Sequence, residues 1–510
     1  MAVVLLWMRD NDDEGRNTIV VSSYSSPALF RSAISARWYT VEDDDLRRIF
    51  RHLSAEPASG LHPKGRHADM DQLEARGQLY ADHVKVLNLS VNAVKNAVGE
   101  ERKRWSWRSV RSEWFTPFRN LVTLIAKVDR PGDLLLISDN WICTSLKEVE
   151  IIADACPDKS EEWRDAVRKL MENLHARGTG VEMLHLDGIP TIPLVYPDLL
   201  ALVVQRQRHR LVELCMDAGA LSDEMLHVLR TCDALEVLGV TQRGPFFPVP
   251  RRKKSPRKLR SELQWECMLE MTLKGSLSMI LSILQGMTIE PSFLRVHCAL
   301  NAESIYSAQQ LSHTIVTTFG DLKRLSIELD LEENVESLPI ALRLTDFECL
   351  GNFRALKKLS IVSNLHQAMV VCDSELQTWL TVMRELEELT LMWPEEYERL
   401  EEKSSQYDKQ HRRVTFSGIL RLMQPQWKLR HLYLGHVDFR SLMEAPQILP
   451  EAPQLELQTR TAEVGSIWET ALVLQRLPHY ISIGIDEGEQ SNVVSAALQY
   501  VAQAYEGREM

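Results

Sequence analysis

The chain has 510 residues, with 59 basic against 71 acidic side chains, a net charge of −12 and 45% apolar content. With 25% charged residues, 22 glycines and 21 prolines, it has the composition of a folded protein and not of a disordered, collagen-like or disulfide-scaffold chain. The acidic balance argues against nucleic acid or an anionic membrane as the partner of the whole chain, and leaves local basic patches open.

The opening Met1-Ala-Val-Val-Leu-Leu-Trp-Met8 lacks a cationic start and runs at once into Arg9-Asp-Asn-Asp-Asp-Glu14, so no secretory signal is expected. No window approaches the roughly 18 apolar residues of a spanning helix, so no membrane partner is expected. Residues 1–82 read as a mainly helical N-terminal cap, with amphipathic pieces at Ala28–Trp38 and Leu46–Leu53. From residue 83 to 440 an apolar-x-x-apolar-x-apolar unit recurs. Its clearest copies are Leu235-Glu-Val-Leu-Gly-Val240, Leu322-Lys-Arg-Leu-Ser-Ile327, Leu356-Lys-Lys-Leu-Ser-Ile361, Leu386-Glu-Glu-Leu-Thr-Leu391 and Leu429-Arg-His-Leu-Tyr-Leu434. Weaker copies begin at Val84, Leu121, Leu146, Val181, Leu211, Met268 and Phe293. The mean spacing of about 31 residues falls in the range of solenoid repeats.

Helical stripes lie between many copies. Leu277, Ile280, Leu281 and Leu284 precede the strand at Phe293; Leu376, Leu380 and Met383 precede the copy at Leu386; residues 415–423 precede Leu429. These spacings of three and four place apolar residues on one helical face, and Asp223 and Ser374 are the expected N-caps. Strand, turn and helix at this period predict an α/β fold: a leucine-rich-repeat-like solenoid, or horseshoe, of irregular strand–helix repeats behind a helical N-terminal cap. A generic α/β protein with parallel strands would show the same local alternation. Residues 441–510 close the array as a C-terminal cap, with Ile481, Ile483 and Ile485 alternating as a last strand.

The strings LKRLSIEL, LKKLSIV, LEELTLMWP and LRHLYLGHV, with ADHVKVLNLS at Ala81–Ser90, resemble the repeats of fungal F-box/leucine-rich-repeat proteins over roughly residues 81–435. The resemblance implies an intracellular substrate receptor, in which an F-box docks on the adaptor of a cullin-type ubiquitin ligase and the repeats hold a protein target. Leu46–Leu53 is similar to the Ile-Phe-x-x-Leu piece of an F-box and Ala28–Trp38 to its Trp-ending helix, in inverted order.

No P-loop, dinucleotide fingerprint, HExxH, GxSxG or calcium-loop string occurs, so no cofactor, metal or catalytic residue is expected and the chain is read as a non-enzyme. An active site assembled from distant segments is the alternative. The eight cysteines have no C-x-x-C pair and read as free thiols of a reducing compartment, cytoplasmic or nuclear. Arg251, Arg252, Lys253, Lys254, Arg257, Lys258 and Arg260 form a basic loop that fits a nuclear-import signal, an RNA contact or a solvated insertion. The stretch Arg102–Trp114 places Trp107, Val110 and Trp114 on one helical face. In each repeat unit the residues between the apolar positions point away from the core. That assigns Arg324, Ser326, Glu328, Lys358, Ser360, Glu388, Thr390, Met392, His431 and Tyr433 to a concave partner-binding face. Along it the charge is expected to run from cationic to acidic and then to aromatic.

Overall fold

The structure is a computed structural model of the chain. It describes residues 35–42, 80–90, 118–153, 161–189, 196–242, 268–286, 291–300, 307–331, 342–364, 371–393, 414–422, 427–439, 454–463 and 481–485. The chain divides into two units, Met1–Val249 and Pro250–Met510. The first carries β1 (Thr40–Val41), β2 (Val86–Leu89), β3 (Thr123–Val128), α1 (Pro131–Asn140), β4 (Glu148–Ala153), α2 (Glu161–Arg177), β5 (Met183–Asp187), α3 (Tyr196–Gln207), β6 (Glu213–Asp217), α4 (Asp223–Leu229) and β7 (Val237–Thr241). The second carries β8 (Glu270–Ser276), α5 (Leu277–Gly286), β9 (Phe293–Leu300), α6 (Ser307–Thr318), β10 (Arg324–Leu331), a 3-10 helix (Leu344–Asn352), β11 (Lys358–Ser363), α7 (Asp373–Val382), β12 (Glu388–Met392), α8 (Phe416–Leu422), β13 (His431–Asp438), β14 (Leu455–Glu463) and β15 (Ile481–Ile485). No helix among the described residues is long and apolar enough to cross a membrane.

Within each unit every strand pairs in parallel with its sequence neighbours, so the fold is α/β with an open parallel sheet. The parallel ladder reaches beyond residues 83–440 at both ends: β1 precedes that range, and β14 and β15 follow it.

One backbone device recurs at the strand starts. A single carbonyl accepts two consecutive amide N–H groups from the next strand: Val122 O takes Lys147 and Glu148, Lys147 O takes Glu182 and Met183, and Glu182 O takes Val212 and Glu213. In the second unit Lys323 O takes Lys357 and Lys358, Lys357 O takes Glu387 and Glu388, and Glu387 O takes Arg430 and His431. These contacts pin the register, which in turn decides which side chains enter the core. The third residue after each repeat start therefore forms one buried row, as with Leu325, Leu359, Leu389 and Leu432. The copy placed at Phe293 sits two residues late. Leu294 pairs with Leu325, and Phe293 lies on the opposite, half-buried side.

Helices cover the apolar face, α5 against β8 and β9 and α1 against β3. The stripe of α2 is Trp163, Ala166, Val167, Leu170, Met171 and Leu174, with Glu161 and Glu162 in its first turn and His175 and Arg177 in its last, the charge order that the helix dipole favours. Two cap assignments shift. Ser222, not Asp223, caps α4 through Met225 N at 3.0 Å. Cys372, not Ser374, precedes α7, whose Glu375 carboxylate accepts Cys372 N at 3.3 Å. Ser222, one residue before the expected cap, and Cys372, two residues before it, both have extended backbone, as an N-cap requires.

A second helix depends on α7. Asp373 Oδ1 accepts Thr415 N at 2.8 Å and Oδ2 accepts Thr415 Oγ1 at 2.6 Å, while Thr415 Oγ1 accepts Gly418 N at 2.9 Å and so caps α8. A Cβ on Gly418 would fall 2.1 Å from the Asp373 carboxyl carbon. Burial raises the Asp373 pKa above 3.8, against the two hydrogen bonds from Thr415 and the charge of Arg421, and Asp438 adds to the rise.

Replacing Leu325, 1% exposed, by Ala should cost about 2–5 kcal/mol, whereas Ser326→Ala should stay within about 0.5 kcal/mol; chemical unfolding midpoints check both. Because the folded pKa of Asp373 is the higher one, the folded state holds that proton more tightly. Its contribution is fully present below 3.8 and falls as pH rises through the folded value. The thermal midpoint of Asp373→Asn should therefore rise relative to wild type as pH increases from about 4 to 6.

Candidate functional site

The face opposite the helices is polar. In the second unit it forms straight transverse rows, because register partners on parallel strands share a face. Arg324, Lys358, Glu388 and His431 make one row, and Ser326, Ser360, Thr390 and Tyr433 the next. Glu328 and Met392 belong to a third, joined through Val362. All ten residues proposed from the repeat pattern thus lie on one face of β10 to β13. The register adds Phe293, Arg295 and His297 from β9 and Glu456 and Gln458 from β14.

Along these rows cationic Arg324 and Lys358 are followed by acidic Glu388 and then by His431 and Tyr433, and the charged side chains pair across the strands. Lys358 Nζ pairs with Glu388 Oε1 on the next strand, and His431 Nδ1 lies 3.0 Å from Glu456 Oε2. Gln458 Nε2 also donates to Glu456 at 2.8 Å. Arg324 is exposed and makes no ion pair with a described residue. The row therefore carries two cations side by side, Arg324 and Lys358, followed by acids paired to their neighbours. These pairs are partly solvated and add little stability.

Two tighter groups occupy the same kind of face, and each offers three ligand-type atoms that all lie within 4.8 Å of one another. In the second unit His297 Nδ1 is 3.3 Å from Glu328 Oε2 and His297 Nε2 meets Asp330. Asn364 Nδ2 donates to both carboxylates, at 2.9 and 2.8 Å. In the first unit His185 of β5 stands beside Cys215 of β6, with Glu213 two residues earlier on the same face. His185 Nε2 is 2.9 Å from Glu213 Oε1 but outside hydrogen-bond geometry, and the nitrogen is buried without a hydrogen-bond partner. Burial, then the charges of Glu213 and Asp187, push the Cys215 thiol up to about 12, against a hydrogen bond from the Gly239 backbone. Burial and Asp233 push the Cys232 thiol to about 12 as well. Neither is a nucleophile near neutral pH, because the thiolate is the reactive form.

Neither group stands out along the chain, where its members are up to 33 residues apart. The signal that finds the first is the repeat itself. His185, Cys215 and Gly239 are each the fifth residue of the copies starting at Val181, Leu211 and Leu235, and the register sets them side by side.

On the helix side of the second unit, a shallow groove of about 890 Å³ is lined by Gln309, His313, Asp346, Glu348, Cys349 and Val382. Asp346 is already engaged there, by Gln309 Nε2 at 3.0 Å and Arg343 N at 2.8 Å. The basic loop at residues 251–260, the tryptophan-rich stretch at 102–114, Cys156 and Cys267 lie outside the described residues. The six described cysteines are free.

At pH 8, iodoacetamide should leave Cys215 and Cys232 unmodified in the folded chain and label both after unfolding, read by peptide mass mapping. Labelling of either thiol at the rate of a free peptide cysteine would contradict the raised values.

A search of family models finds no match to this chain, and a search of curated proteins finds none either.

Proposed function

We propose that the chain is a non-catalytic recognition protein of the leucine-rich-repeat kind, holding an extended polar segment of a protein partner across the rows of β9 to β14. The observation that supports this reading is the straight register of those rows. Side chains from neighbouring strands stand at intervals of about 4.8 Å on a backbone fixed by the paired amide contacts, so little ordering is left to do on binding. The pairs Lys358 with Glu388 and His431 with Glu456 favour a ligand that carries both signs of charge, and the exposed Arg324 adds a demand for an acidic residue beside them. Tyr433, between Thr390 and Gln458 in its row, is the aromatic anchor.

The resemblance to fungal F-box/leucine-rich-repeat proteins extends this proposal to a substrate receptor of a cullin-type ubiquitin ligase. In that role the repeats hold the target, and the segment around Ala28–Leu53 meets the adaptor. Cytoplasm or nucleus is the compartment that goes with it.

The double exchange Lys358→Glu with Glu388→Lys keeps an ion pair in place while reversing the pattern it shows. It should leave the thermal midpoint nearly unchanged and release the proteins captured by the wild-type chain. Adding Arg324→Glu should deepen the loss. Retention of every captured protein by the triple variant would sink the recognition reading. Co-purification of the cullin adaptor with the full chain tests the ligase role separately, and its absence from a folded, partner-binding chain would remove that role alone.

A further inference from the structure

The open face of the first unit gathers ligand atoms of three kinds. His185 supplies an imidazole, Glu213 a carboxylate and Cys215 a thiol, and all three atoms lie within 4.8 Å of one another. We infer that His185, Glu213 and Cys215 form a binding site for a divalent cation of the zinc class.

Four observations carry this. First, a tetrahedral ion with bonds of about 2.0–2.3 Å holds its ligand atoms about 3.5 Å apart, so the three atoms need only small rotations about their side-chain bonds to close on one centre. Second, His185 Nε2 is buried, has no hydrogen-bond partner and faces Glu213 Oε1 at 2.9 Å without hydrogen-bond geometry. A cation held by both atoms would satisfy them. Third, strand β7 presents a glycine beside the thiol: a Cβ on Gly239 would fall 2.5 Å from Cys215 Sγ, so any side chain there would close the position where sulfur stands. Fourth, Asp187 and Glu150 add negative charge around Cys215, and Glu150 is the register partner of His185 on β4.

The second group shows what a finished cluster looks like. Both ring nitrogens of His297 already meet carboxylates, and Asn364 donates to each of those acids. His297, Glu328 and Asp330 satisfy one another and need no ion. The first group has no comparable donor on His185 Nε2.

The mixture of nitrogen, oxygen and sulfur selects a borderline-soft cation over magnesium or calcium, which take oxygen ligands. Three protein ligands leave the fourth position to water or to a donor atom from outside the chain. The site shares no residue with the rows proposed for protein recognition, and the two can fail independently.

The test uses the full chain, stripped of metal by dialysis against a chelator, then titrated with Co²⁺ alone and afterwards with Zn²⁺ alone. One cobalt per chain should bind with a thiolate-to-cobalt charge-transfer band in the near ultraviolet, and zinc should abolish the band. Cys215→Ser should lose the band while keeping the circular dichroism of the wild type, and His185→Gln should weaken zinc binding at least about tenfold. His297→Gln should keep both. The inference is overturned if the wild-type chain gives no charge-transfer band, or if the band survives in Cys215→Ser. The wild-type measurement decides the first of these even where a variant does not fold.

Discussion

The structure depends on a carbonyl, recurring at the start of many strands, that accepts two successive amide protons from the next. Val122, Lys147, Glu182, Lys323, Lys357 and Glu387 all play this part. Each junction satisfies two main-chain donors that would otherwise stay unpaired at a strand entry, and each fixes the following strand to a single register. The segments between junctions are then free to differ in length and in kind. The 3-10 helix Leu344–Asn352 stands where α6 and α7 stand in adjacent crossovers, yet β10 and β11 meet in the same alignment on either side of it. Irregular spacing in the sequence and regular spacing in the sheet are thereby reconciled.

Much of this was legible because a period of two is robust. The string Phe293-Leu-Arg-Val-His-Cys298 satisfies the repeat pattern when read two residues late, and Val296 and Cys298 fall on the buried side under either reading. Only Phe293 changes sides. The face of each polar residue between Arg324 and Tyr433 followed from the same parity. Helix starts were less legible. Ser222 with Asp223, and Cys372 with Asp373 and Ser374, offer adjacent polar candidates whose backbone angles settle the choice. Charge pairing was not legible at all from a list of residues along one rung. The partner of Lys358 is 30 residues away and becomes a neighbour only once the register is known.

The same distinction separates the two histidine groups. His185 and His297 both sit mid-strand beside acids, and composition alone ranks them equally. What differs is the neighbouring rung. β7 brings Gly239 beside Cys215, so the thiol keeps its space, whereas the chain after β11 brings Asn364 up to Glu328 and Asp330. A buried polar cluster is stable when its donors and acceptors match. One cluster is matched from within, and the other leaves His185 Nε2 without a hydrogen-bond partner.

Asp373 lies in the first turn of one helix and holds the N-terminus of another. The chain of bonds from Gly418 N through Thr415 Oγ1 to the Asp373 carboxylate makes α8 dependent on α7, since loosening α7 removes the group that anchors the cap of α8. Local opening in this part of the molecule is then a shared event. The amides of Asp373–Val382 and Phe416–Leu422 are then expected to exchange as one cooperative unit, although 33 residues of chain separate the two helices.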